Sequence, residues 1–103
     1  MGMDLVAAKH QKLISQSQSI FTLDESIHDK LISVANSRNK YPTIFKMEDY
    51  YSDTTILLGE LGRLKKEIEE IMSIYKMDIE LTGLHAFISK AISEQDNVYI
   101  MAD

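Results

Sequence analysis

From Leu57 onward, apolar residues return at steps of four and three: Leu57, Leu61, Leu64, Ile68, Ile71 and Tyr75. That spacing lays one stripe along a helix and predicts the longest helix of the chain, with Ser52 or Asp53 placed to cap its start. Arg63, Lys65, Lys66, Glu67, Glu69 and Glu70 fall on the other faces. Among them Lys65 with Glu69 and Lys66 with Glu70 stand four apart, a spacing that contributes about 0.2–0.5 kcal/mol per pair. Gly59 and Gly62 lie inside the segment; each costs about 1 kcal/mol relative to alanine, which predicts close approach of a neighbouring element. An earlier helix is expected after Thr22, because Thr22 and Glu25 have the capping-box spacing and Leu23, Ile27, Leu31 and Val34 form an apolar stripe. It should end in the polar run 36–40, before Tyr41 and Pro42 force an extended segment. A last helix is predicted from Asp78 or Thr82 to Glu94, turning Leu81, Leu84, Ile88 and Ile92 inward.

At the chain ends the period changes to two. Residues 97–103 alternate Val98, Ile100 and Ala102 against Tyr99 and Met101. Such a strand needs a partner for its backbone donors and acceptors. Met3 to His10 is the candidate, although Leu5, Val6, Leu13 and Ile14 equally suit a helix running on to Ser15. The pattern as a whole predicts an α+β domain, mainly helical, with three to four helices and a small sheet formed by the chain termini; an all-α bundle is the alternative.

Length and composition narrow the classes. At 103 residues the chain is of single-domain size. The absence of cysteine excludes disulfides, a thiolate nucleophile and Cys-type zinc or iron–sulfur sites. The beginning of the chain has no secretory pattern and no window reaches membrane-span length, so a cytoplasmic protein is expected. The net charge of −5 is uneven: residues 1–47 hold six Lys/Arg and four Asp/Glu, net +2, and residues 48–103 hold five and twelve, net −7. An acidic half repels a phosphate backbone, so neither nucleic acid nor a membrane is an expected partner.

Little of the chain carries reaction chemistry. His10, His28 and His85 do not pair at metal-ligand spacing. Glu25, His28 and Asp29 share one helix face and could hold a divalent ion only with a further ligand; acids in a first turn are ordinary partners of the helix dipole, with His28 then a surface residue. No metal or cofactor is expected. There is no GxSxG elbow and no glycine-rich phosphate loop, and the paired acids Glu48–Asp49 and Glu69–Glu70 read as solvated, so an enzyme is not expected.

The stretch YPTIFKMEDYYSD remains. Tyrosine brings a large rigid body and a hydroxyl at low entropy cost, and acids around it favour a basic protein partner. Glu48, Asp49, Tyr50, Tyr51 and Asp53 are therefore the candidate partner-binding residues. Tyr41, Ile44, Phe45 and one of Tyr50 or Tyr51 are expected to pack beneath the long helix.

The run YPTIFKMEDYYSDTTILLGELGRLKKEIEEI, about a third of the chain, combines an aromatic-Pro pair, an apolar pair, an acidic turn and a helix with an acidic-Leu-x-x-Leu core. It resembles small bacterial proteins of the immunity type, encoded beside toxins, and VYIMAD echoes an apolar-Asp ending. The resemblance implies a cytosolic inhibitor without catalytic residues, whose surface acids and aromatics block a cognate toxin. It carries over only to the exposed members of Glu48 to Asp53. The same composition leaves a second reading, a helical protein that self-associates through Leu58 and Met72, so that monomer and homodimer both stay open.

Overall fold

Alternation at both chain ends produces the centre of a sheet. The computed structural model describes residues 3–38 and 40–102. Strand β1 (Met3–Ala8) pairs antiparallel with β4 (Asn97–Met101), so the two chain ends form the middle of a four-stranded sheet of order β2-β1-β4-β3. Its edges are β2 (Ile20–Leu23) and β3 (Thr54–Ile56). The register sets Leu5 opposite Ile100 and Ala7 opposite Val98, which fixes Met3, Leu5, Ala7, Leu23, Ile56, Val98 and Ile100 on one buried face.

Against that face pack α1 (Glu25–Arg38), α2 (Leu58–Tyr75) and α3 (Asp78–Ser93). Their core residues are Leu31 and Ala35; Leu61, Leu64, Ile68 and Ile71; and Leu81, Leu84, Ile88 and Ala91. The α+β, mainly helical fold with a sheet built on the termini is thus the observed one. The ambiguous N-terminal segment divides its two readings: Met3–Ala8 is strand, and Gln11–Gln16 is a 3₁₀ turn. No described helix is long and apolar enough to cross a membrane.

Several local expectations are corrected. Thr22 does not cap α1; it lies in β2 and donates its hydroxyl to Asp4 (2.7 Å). Asp24 does the capping, accepting the Ser26 N–H at 3.2 Å as well as the Ser26 hydroxyl. A short polar side chain directly before the first turn reaches these donors without the detour through β2. Helix α2 begins later than expected, because β3 occupies Thr54–Ile56. Neither Ser52 nor Asp53 caps it. Leu57 N–H donates to Glu60 Oε1 (3.2 Å), Leu58 N–H donates to Asn97 Oδ1 (2.8 Å), and Leu57 itself is exposed.

Glu67 is buried rather than solvated: its carboxylate accepts the backbone N–H groups of Thr43 (3.3 Å) and Ile44 (3.0 Å). These are donors at the start of the 3₁₀ turn Ile44–Met47. Glu69 and Glu70 also reach beyond the helix, to His85 (2.8 Å) and Lys40 (3.1 Å). The glycines divide as well. A Cβ on Gly59 or Gly62 would meet nothing within 4 Å, whereas one on Gly83 would stand 2.9 Å from the Phe21 ring. Close approach therefore occurs at α3 and not at α2.

Candidate functional site

The start of α1 and the loop after the Ile44–Met47 turn meet in space. Each carries acids, and the two candidates that stand apart in sequence, Glu25/His28/Asp29 and Glu48 to Asp53, become one surface. Tyr51 is the bridge: it is 62% exposed, its hydroxyl donates to Glu25 Oε2 (3.0 Å) and its backbone N–H donates to Asp49 Oδ1 (2.9 Å). Asp49 also accepts the Ser52 hydroxyl (2.7 Å). Asp24, Glu25, Asp29, Glu48 and Asp49 are all exposed around this ring. Lys30 and Lys46, the lysines of the same two segments, are turned to Glu80 (3.8 Å) and Glu60 (2.6 Å).

Beneath the exposed ring lies a stack that the sequence did not reveal. Tyr50 is buried, so it supports the tip and does not form its surface. Its hydroxyl donates to the Leu23 carbonyl (3.1 Å), and its ring stands edge-on to both Tyr51 (5.5 Å) and His28 (4.9 Å). It packs against α1 and β2, while Tyr41 and Ile44 fill the core beside α2 and Phe45 is half-buried against it. His28 is also buried, at 3% exposure. Its Nε2 lies 2.5 Å from the Met47 carbonyl oxygen. A carbonyl can only accept, so Nε2 carries the hydrogen. Nδ1 has no hydrogen-bond partner, and the nearby Asp29 Oδ1 at 3.9 Å is too far for one. The surface histidine expected at this position is in fact a buried link between α1 and the loop.

The electrostatics keep the acids charged and the phenol neutral. The Ser52 hydroxyl, then the Tyr51 N–H, hold Asp49 below the usual carboxylate range. The Ser26 hydroxyl does the same for Asp24. The bond to Glu25, followed by the charge of that carboxylate, pushes the Tyr51 phenol up.

Asp53 is the outlier of the predicted set. Its Oδ1 accepts the Ala102 N–H (2.8 Å), so it fastens the end of the chain next to β3 and does not join the ring of acids. The largest groove, about 580 Å³, lies elsewhere, between Lys40, Arg63, Lys66 and the buried Glu67. Glu67 is committed there to backbone donors and Glu70 to Lys40. A second groove of about 510 Å³ begins at Asp29 and runs beside α1 past Val34 to Tyr75, and so adjoins the tip. Among the described residues no three His, Asp or Glu side chains are grouped to hold a metal ion.

No family model matches the chain, and neither does any curated protein or solved structure.

Proposed function

We propose that the chain is a small protein-binding module, most concretely an immunity-type inhibitor that occludes the working surface of a cognate bacterial toxin. The observation that carries this reading is the tip: five exposed carboxylates around one exposed tyrosine, with the lysines of both segments paired elsewhere. Such a surface attracts a basic partner by steering, and the ring offers an aromatic anchor. On this reading the module acts in the cytoplasm, catalyses no reaction, needs no cofactor and binds neither nucleic acid nor membrane. Its contact residues are Glu25, Asp29, Glu48, Asp49 and Tyr51, with Tyr50 and His28 as their support.

The test is capture of a partner from the native host by the wild-type protein and by the Asp29→Lys/Glu48→Lys variant. The captured protein is then expressed in a sensitive host with and without the module. Growth arrest relieved by wild type and not by the variant is the expected result. A captured protein that is harmless, or that the variant holds as well as wild type, contradicts the proposal.

Self-association is the second reading. Leu58 and Met72 are partly buried against the core and unsuited to it. Ile79 is 93% exposed, and Ile74 near it in the α2–α3 turn region is exposed too. Sedimentation at micromolar concentration, with Ile79→Ser for comparison, decides between monomer and homodimer.

A further inference from the structure

An acidic tip built over a buried imidazole with a vacant lone pair has room for one kind of small cation at its centre, a proton. We propose that His28 makes binding at the tip proton-linked: the tip takes a guanidinium group of a basic partner when His28 is neutral and holds it less tightly once His28 carries a proton. This rests on the tip being the binding surface, and adds its regulation.

The argument starts from the two ring nitrogens. Nε2–H is committed to the Met47 carbonyl, so a neutral ring presents an unshared pair at Nδ1, in the direction of Asp29 at 3.9 Å and with no donor to meet it. A buried acceptor left in that state is costly. Protonation turns Nδ1 into a donor facing a carboxylate, without disturbing Nε2. The groups that face this ring have one sign. From α1 they are Glu25 and Asp29, and Asp24 lies just before that helix; from the loop they are Glu48 and Asp49, with Asp49 sensing the charge of His28. The neighbouring tyrosines are neutral in this range, the Tyr51 phenol being pushed up by Glu25. Lys30 and Lys46 turn to Glu80 and Glu60.

A partner cation meets the same carboxylates from outside. A guanidinium fits them better than an ammonium, because it can lie flat on the exposed Tyr51 ring while its N–H groups reach the flanking oxygens. Proton and guanidinium therefore draw on one set of negative charges from opposite sides of the Tyr50–Tyr51 stack. By linkage each weakens the other by the same factor. One unit charge added a few ångströms from the partner's cation, near a surface, changes affinity roughly threefold to tenfold. Imidazole is the side chain that gains this charge between about pH 5 and 8, and the bonds to Ser52 and Ser26 keep Asp49 and Asp24 ionised while it does.

The probe is acetyl-tetraarginine amide, titrated at low salt at about pH 7.5 and about pH 5.5 and followed by the ring signals of Tyr51 and His28. Wild type is expected to bind several-fold more weakly at the lower pH, and His28→Gln, whose amide N–H can still donate to Met47, to bind alike at both. The reciprocal measurement needs no variant: saturating peptide should lower the proton affinity of His28 by that factor, with His10 and His85 as spectators. It decides the matter even if His28→Gln fails to fold. Binding to wild type that is equal at the two pH values, or a pH dependence that survives His28→Gln, overturns the proton linkage and leaves the tip as a binding surface. Absence of peptide binding at either pH overturns both.

Discussion

Replacing Glu67 with alanine removes the one carboxylate that closes the Ile44–Met47 turn. Two buried backbone donors, Thr43 N–H and Ile44 N–H, lose their acceptor together. Each buried donor left unsatisfied costs about 1–3 kcal/mol, and the site is closed to water, Glu67 being only 8% exposed. Some relaxation of the loop reduces the sum, so the expected loss is about 2–5 kcal/mol, a large part of the ~5–15 kcal/mol that holds a domain of this kind together. Glu67→Gln keeps one carbonyl oxygen in place and should cost about half as much. Urea denaturation measures both. Native-state hydrogen exchange should show faster exchange at Thr43 and Ile44 in the glutamine variant, ahead of any change in α3. A loss below about 1 kcal/mol for Glu67→Ala would mean that the turn closes itself and that Glu67 does not hold the loop on which the tip is built.

Three further predictions concern the core, the glycines and acid. Leu64→Ala, at the centre of the α2 stripe and fully buried, should cost about 2–5 kcal/mol in chemical denaturation. Gly83→Ala should destabilise, since its Cβ would press on the Phe21 ring at 2.9 Å, whereas Gly59→Ala, with open space, should gain up to about 1 kcal/mol; equal effects would contradict the packing of β2 on α3. Asp24, Asp49, Glu60 and Glu69 have folded-state pKa values held down, chiefly by Ser26, Ser52, Lys46 and His85 respectively. Their contribution is therefore present above the ordinary carboxylate values near about 4 and is lost as pH falls through the lower folded values. Thermal melts should stay flat from neutral pH to about pH 5 and drop below about pH 4, less steeply in Ser26→Ala and Ser52→Ala.

The long-range order of this fold is legible where periodicity is long. The α2 stripe runs over four turns, and the alternation of Val98, Tyr99, Ile100 and Met101 demands a strand, which in turn demands β1. The edge strands are not legible in the same way. Ile20–Leu23 alternates too, but over four residues, and Thr22 with Glu25 offers a competing capping signal that Asp24 wins by being adjacent. β3 has three residues, too few for a period. In the tip, the exposed acids and Tyr51 were readable from residue type, while the choice between Tyr50 and Tyr51 was not, because it depends on the Leu23 carbonyl waiting on β2. His28, Glu67 and Asn97 share the same reason for being missed. Each is a polar side chain whose partner lies between 19 and 39 residues away, and nothing local marks a polar residue as buried until that partner is in place.

The central claim is that the surface around Tyr51 is where a basic protein partner docks. It is tested most directly by the association rate of the captured partner with wild type and with Asp29→Lys/Glu48→Lys, measured at low and at physiological salt. These two acids are chosen because, unlike Asp49 and Asp24, neither holds a turn or a cap through the bonds described above. The account predicts a variant that folds as wild type does but associates more than tenfold more slowly at low salt, with its dependence on salt largely gone. An association rate and salt dependence unchanged from wild type would contradict it, and would leave the acids of the tip as capping groups and its tyrosines as packing.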